Sequence, residues 1–162
     1  MNRRLCLHWG TLMGAGFLLG CASPPPTPTQ PNHWAGRLVL HIQDQPPQRH
    51  SGGFELIGNA TQGELSLLNP FGTTVAQARW TPSLAQLQQG EHTQTFIGMP
   101  ELLQAATGAA LPLAAVFDWL QGIPSSTPGW EVDLSQHSQG RIQAQRSSPS
   151  PTVQLLIVLQ RP

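Results

Sequence analysis

Trp34-Ala35-Gly36-Arg37-Leu38-Val39-Leu40-His41-Ile42 sets Trp34, Gly36, Leu38, Leu40 and Ile42 on one side of an extended chain, with Arg37 and His41 on the other. A period of two marks a half-buried strand. The same alternation recurs downstream. Phe54 and Leu56 flank Glu55, and Leu65 and Leu67 alternate with Glu64 and Ser66. Thr74 to Trp80 forms a fourth run, and Leu84 to Gln88 and Thr93 to Ile97 form shorter ones. Between them lie turn-formers: Asp44 to Arg49 with Pro46-Pro47, Asn59 to Gly63, and Asn69-Pro70-Phe71-Gly72. Short connections between successive strands predict an antiparallel meander.

The period then lengthens. Pro100 stands where a first helical turn tolerates proline and Gly108 where a helix stops, with Leu102, Leu103 and Ala106 as its apolar face. Pro112 opens a second helix in which Leu113, Val116, Phe117 and Leu120 recur at three and four, and Gly122 ends it. Segments this short are unstable alone and need an apolar support, which only the sheet supplies. Strands resume at Trp130–Leu134 and Arg141–Arg146. The last, Val153–Leu159, is nearly continuous in apolar residues and predicts burial of both faces. The fold class is mainly β with two short helices. It is a single antiparallel sheet curled into an unclosed barrel, with the helices as a lid over its concave face.

Composition narrows the function. The chain has 162 residues, enough for one domain with short appendages. Eight arginines and no lysine balance eight acids, so net charge is zero, and 18 glutamines outnumber all charged residues together. Without a basic field the chain is no nucleic-acid binder. Its 16 glycines and 16 prolines argue against a helical bundle.

The N-terminus divides the chain into three. Residues 1–20 read as a signal peptide: Arg3 and Arg4, then a mostly apolar stretch from Leu5 to Leu19. That stretch is too short to span a bilayer, which takes ~20 apolar residues. It ends in Leu18-Leu19-Gly20-Cys21, which resembles a bacterial lipobox, with Cys21 as the acylated residue. Ala22 follows, and not the aspartate associated with inner-membrane retention, so the expected site is the periplasmic face of the outer membrane. Residues 21–32, with Pro24, Pro25, Pro26, Pro28 and Pro31, form a Pro-rich tether. At ~3.1 Å per residue in polyproline geometry, residues 22–32 would span about 34 Å. Residues 33–162 are the folded domain.

Chemistry-bearing motifs are missing. The chain has no GxSxG, GxGxxG, P-loop or HExxH pattern. His33, His41, His50, His92 and His137 are dispersed, with no pair at metal-ligand spacing. Asp118 is read as solvent-facing, and Glu131 and Asp133 as a solvated pair on one strand face. The expectation is therefore a non-enzyme without catalytic residue, metal or cofactor. Phe71, by contrast, occupies a turn tip where a polar residue is the default. It either folds back onto the core or presents an aromatic ring to lipid or an apolar partner.

Four stretches, in order, resemble the LolB outer-membrane lipoprotein receptors. They are Trp34-Ala35-Gly36-Arg37-Leu38, Leu67-Leu68-Asn69-Pro70-Phe71-Gly72-Thr73-Thr74, Thr107-Gly108-Ala109-Ala110-Leu111-Pro112-Leu113, and Trp119-Leu120-Gln121-Gly122-Ile123-Pro124. The resemblance implies a monomeric, lipid-anchored protein that accepts acylated lipoproteins from a LolA-like periplasmic carrier into an apolar cavity. It then releases them into outer-membrane lipid without nucleotide. Asn69, Pro70, Phe71 and Gly72 match the family's membrane-delivery loop. The cavity and its lid would be lined by Leu38, Leu40, Phe54, Leu56, Leu65, Leu67, Leu103, Leu113, Phe117, Trp119 and Leu120. Gly129-Trp130 follows Pro124 closely, where longer members have another strand pair, so the C-terminal part of the barrel is expected to be smaller. The competing expectation is a structural lipoprotein scaffold with a solid β core.

Overall fold

The computed structural model describes residues 32–160, so the signal segment, Cys21 and nearly all of the tether lie outside the described residues. The strands in chain order are β1 (His33–Gln43), β2 (Gln48–Gly58), β3 (Gly63–Leu68), β4 (Thr74–Trp80), β5 (Ala85–Gln89) and β6 (His92–Phe96). Two helices follow, α1 (Met99–Thr107) and α2 (Leu113–Leu120). Strands β7 (Trp130–Asp133), β8 (Arg141–Arg146) and β9 (Thr152–Leu159) complete the sheet, with a 3-10 turn at His137–Gln139.

All nine strands belong to one antiparallel sheet in the order β6-β5-β4-β3-β2-β1-β9-β8-β7. The first six are a plain meander. After the helices the chain returns to the other side of β1, where β9 pairs with it from Gly36–Leu159 to Gln43–Thr152. The edges β6 and β7 do not pair with each other, so the barrel is unclosed. A close backbone approach marks the seam between β1 and β9. A Cβ on residue 36 would overlap the Val158 carbonyl oxygen, so only glycine fits there.

Alternation in sequence becomes alternation in burial. Leu40 and Ile42 of β1, Phe54 and Leu56 of β2, and Ala76, Ala78 and Trp80 of β4 are buried on the inner face. Ala85 and Leu87 of β5, near one edge, and Ile142 and Ala144 of β8, near the other, join the same cluster. Both margins of the sheet thus contribute to a common interior.

Strand β9 departs from the expectation of burial on both faces. Val153, Leu155 and Ile157 are buried, whereas Gln154 and Val158 are exposed. The helices lie on one face only, and the other stays open to solvent with Leu156 half covered. The apolar run therefore has a one-sided strand's burial pattern.

Helix α1 begins with Pro100 in its first turn and ends at Gly108 with φ 73°, whose N–H donates to the Gln104 carbonyl. The Glu101 carboxylate accepts the Ile97 N–H at 2.6 Å, which satisfies a donor just ahead of the helix. Its buried face is Met99, Leu102 and Leu103; Ala106 is exposed, contrary to the periodicity reading. The helix is only nine residues long, and its rotation is set by docking those larger side chains. Helix α2 buries Ala115, Phe117, Trp119 and Leu120.

Candidate functional site

The eleven residues expected to line a cavity and its lid belong to one apolar cluster. Leu40, Phe54, Leu56, Leu103, Phe117, Trp119 and Leu120 are buried in one apolar cluster, and Leu38, Leu65, Leu67 and Leu113 are half-buried against it. Aromatic rings link cover to sheet. Phe117 of α2 meets Trp34 edge-on with centroids 5.5 Å apart, and meets Trp80 at 6.3 Å. Trp80 is held in place by its indole N–H, which donates to the Asn59 carbonyl at 3.0 Å.

Polar ties hold the cover at the C-terminus of α2 and in the α1–α2 connection. The His137 Nε2–H donates to the Leu120 carbonyl at 3.1 Å, at the C-terminus of α2. Arg146 Nη1 of β8 donates to the carbonyl of Ala110, in the α1–α2 connection, at 3.3 Å. Apolar contact does the rest of the fastening. Such contact is non-directional and gives way to any other hydrocarbon of matching shape.

The cavity-and-lid expectation left out several residues of this interior, although Ile42, Val153 and Ile157 stood on strands read as buried. Ile42, Trp80, Met99, Ile142, Val153 and Ile157 are also core residues. The inward parity of each strand carried the signal for most of them. Arg146 shares that parity with Ile142 and Ala144 and is buried with them, although arginine is by default an exposed residue.

The second feature is the turn after β3. Phe71 is 92% exposed. Asn69 holds the turn that carries it: its side-chain oxygen accepts the N–H groups of Phe71 at 2.9 Å and Thr73 at 3.0 Å. The Gly72 N–H also donates to the Asn69 carbonyl. The ring is thus presented outward on a hydrogen-bonded support. A groove of about 410 Å³ runs beside the turn, lined by Arg37, Gly53, Leu68, Asn69, Pro70 and Val158. A second groove, about 620 Å³, crosses the outer sheet face past His41, Arg49, Glu131, Gln143, Gln154 and Leu156.

Glu131 and Asp133 are both exposed on β7. Asp133 is held below the ordinary carboxylate range by hydrogen bonds from the Ser135 hydroxyl and backbone N–H. Asp118 is half-buried on α2 and not fully solvent-facing. No helix among the described residues is long and apolar enough to cross a membrane.

An unclosed antiparallel sheet whose apolar concave face is covered by a short helical pair defines a class of protein built around a greasy interior. Comparison with known proteins gives the family. The family model described as outer membrane lipoprotein LolB matches residues 32–154, and the chain belongs to this family. It is 30% identical over 154 residues to the outer-membrane lipoprotein LolB of Dechloromonas aromatica, covering 80% of this chain and 81% of the relative. It is 32% identical over 154 residues to that of Cupriavidus pinatubonensis, covering 87% and 70% respectively. The chain is thus an outer-membrane lipoprotein of the LolB type.

Proposed function

We propose that this protein receives the acyl chains of lipoproteins from a soluble LolA-like periplasmic carrier, beneath α1 and α2, and releases them into the outer membrane. The observation that carries the reading is the exposure of Phe71 on its Asn69-braced turn. An aromatic ring left in water at a turn tip gains about 1.5–3 kcal/mol on entering lipid. The turn is therefore the part of the surface that seeks the membrane.

The geometry of anchorage fits. Asn32, where the tether joins the domain, lies beside Gly58, whose N–H donates to its carbonyl. Gly58 pairs with Gly63 at the start of β3, and the Phe71 turn follows the far end of that strand. Six residues at ~3.4 Å put the turn about 20 Å beyond the tether junction, plus the reach of the turn itself. A Pro-rich tether of eleven residues in polyproline geometry, about 34 Å, would exceed that distance. Lipid on Cys21 and the ring of Phe71 can then reach one leaflet together.

The cover supplies the interior. Neither helix is long enough to persist alone, and both are held mainly by side chains that hydrocarbon can replace. Each methylene taken out of water is worth about 0.8 kcal/mol, so acyl chains displace the cover's own contacts without nucleotide. A bilayer buries the same chains more completely, which makes release downhill.

The test is transfer of an acylated lipoprotein from the carrier to this protein, then from it to liposomes. Both steps are expected to proceed without ATP. A second reading, a tethered scaffold with a permanently solid core, is favoured by the dense packing of Ile42, Trp119, Ile142 and Val153. Failure to take up a fluorescent acyl probe at any concentration would select it.

A further inference from the structure

Arg146 is the buried charge of the interior. It is 8% exposed and has no carboxylate partner; among the described residues the ion pair is Arg79–Glu64, on the outer face. Its guanidinium lies 5.8 Å above the Trp130 ring centroid. Nη1 donates to the Ala110 carbonyl at 3.3 Å and Nη2 to the Pro151 carbonyl at 3.4 Å, while Nε has no acceptor. Guanidinium stays protonated at any physiological pH, so burial cannot be relieved by losing the proton. An uncompensated cation and an unfilled donor each cost free energy, and two long bonds to neutral carbonyls offset little of it.

The position gives that cost a use. On the inner face, Arg146 lies in one cross-strand row with Trp130 of β7, Val153 of β9, Ile42 of β1 and Gln48 of β2. The α1–α2 connection crosses this row: Ala110 sits on Arg146, and Gly108 lies against the Gln48 side chain. Further along the same strand inner face come Ala144 and Ile142, both buried in the apolar cluster. A cation thus stands at the margin of the greasy interior, under the segment that moves if the cover lifts.

We infer that Arg146 is the polar anchor for the head of a bound acyl chain, taking the carboxylate of a fatty acid or the ester or amide carbonyl of an acylated cysteine. This rests on the acyl-receptor reading above. Lifting the connection removes Ala110 and frees Nη1, so that with the acceptorless Nε two guanidinium N–H groups are open to an oxygen-bearing head group. The tail then runs along the inner face past Ala144 toward Ile142. Trp130, already stacked on the guanidinium, keeps it oriented.

The experiment uses the chain from residue 21 onward, bearing Cys21→Ala so that it carries no lipid of its own. Binding is measured for three probes with the same fluorescent tail, ending in a carboxylate, a methyl ester or a plain methyl group. The expected order is carboxylate, then ester, then hydrocarbon, with the carboxylate at least about tenfold tighter than the hydrocarbon. Arg146→Met is expected to abolish that discrimination while still binding the hydrocarbon probe. Arg146→Lys keeps part of the carboxylate preference, and circular dichroism and thermal melting verify both folds. Equal affinities for the three probes in the parent chain, or an unchanged ratio in Arg146→Met, overturn the anchor and leave the receptor reading standing. No uptake of any probe overturns both.

Discussion

The indole of Trp119, fully buried on α2, packs against that of Trp130 at the start of β7, with ring centroids 5.9 Å apart and planes inclined by 50°. This contact ties the helical cover to an edge strand that has a sheet neighbour on one side only. It also backs Trp130 where that ring meets Arg146. Truncating the fully buried indole leaves a cavity that two flanking elements cannot both collapse into. Trp119→Ala is expected to cost about 3–5 kcal/mol, read as a lowered urea midpoint. A loss below about 1 kcal/mol would show the cover to be only loosely seated.

How far the fold was legible follows from what each element depends on. Strands β2 and β4 announce themselves because local alternation and tertiary burial agree, as in Phe54 to Leu56. Residues whose fate depends on a distant partner do not. Ala106 has the right spacing for the buried face of α1, yet Met99, Leu102 and Leu103 took it. Val153–Leu159 reads as doubly covered because composition cannot tell that the helices occupy one side. Arg146 follows inward parity against its residue type, and only the return of the chain behind β1 shows why space exists there. Of the candidate site, the apolar residues were legible and the polar margin was not. The exposure of Phe71 was not decidable either, since a turn tip carries no period.

Replacing Phe71 should separate fold from delivery. The side chain contacts little of the domain, so Phe71→Glu is expected to leave unfolding free energy within about 0.5 kcal/mol of the parent. Membrane contact loses the ring's transfer free energy and must also desolvate a carboxylate. Transfer of a bound lipoprotein to liposomes should fall by at least about tenfold, while uptake from the carrier is unchanged. Phe71→Leu should keep most of the activity. Normal delivery by the glutamate variant would remove the turn from the mechanism.

The support of that ring can be tested without touching the ring. Asn69 Oδ1 accepts two backbone N–H groups, and no alanine can replace it. Asn69→Ala is expected to cost about 1–2 kcal/mol, because the freed donors are at an exposed turn and water partly satisfies them. Delivery should fall as the ring is no longer held outward. Asn69→Asp retains the acceptor and should stay near the parent in both chemical denaturation and liposome transfer. Equal behaviour of the two variants would mean that the bonds hold nothing that matters.

The C-terminus of α2 allows a sharper measurement because two residues there oppose one another. Gly122 has φ 78°, and a Cβ on it would lie 2.9 Å from the His137 ring. That ring in turn donates from Nε2 to the Leu120 carbonyl. Gly122→Ala therefore combines left-handed backbone strain with a clash, and is expected to cost about 2–3 kcal/mol. His137→Ala forfeits one partly buried hydrogen bond, worth about 0.5–1.5 kcal/mol. In the double variant the clash has no partner and the bond is already lost. Its destabilisation should fall short of the summed single effects by about 1 kcal/mol. Hydrogen exchange across residues 113–122 locates the effect on the cover, which should open more readily in Gly122→Ala while β1 and β9 stay protected. Strict additivity in that cycle would mean that His137 and Gly122 do not meet, and that the lower end of the cover is closed by apolar packing alone.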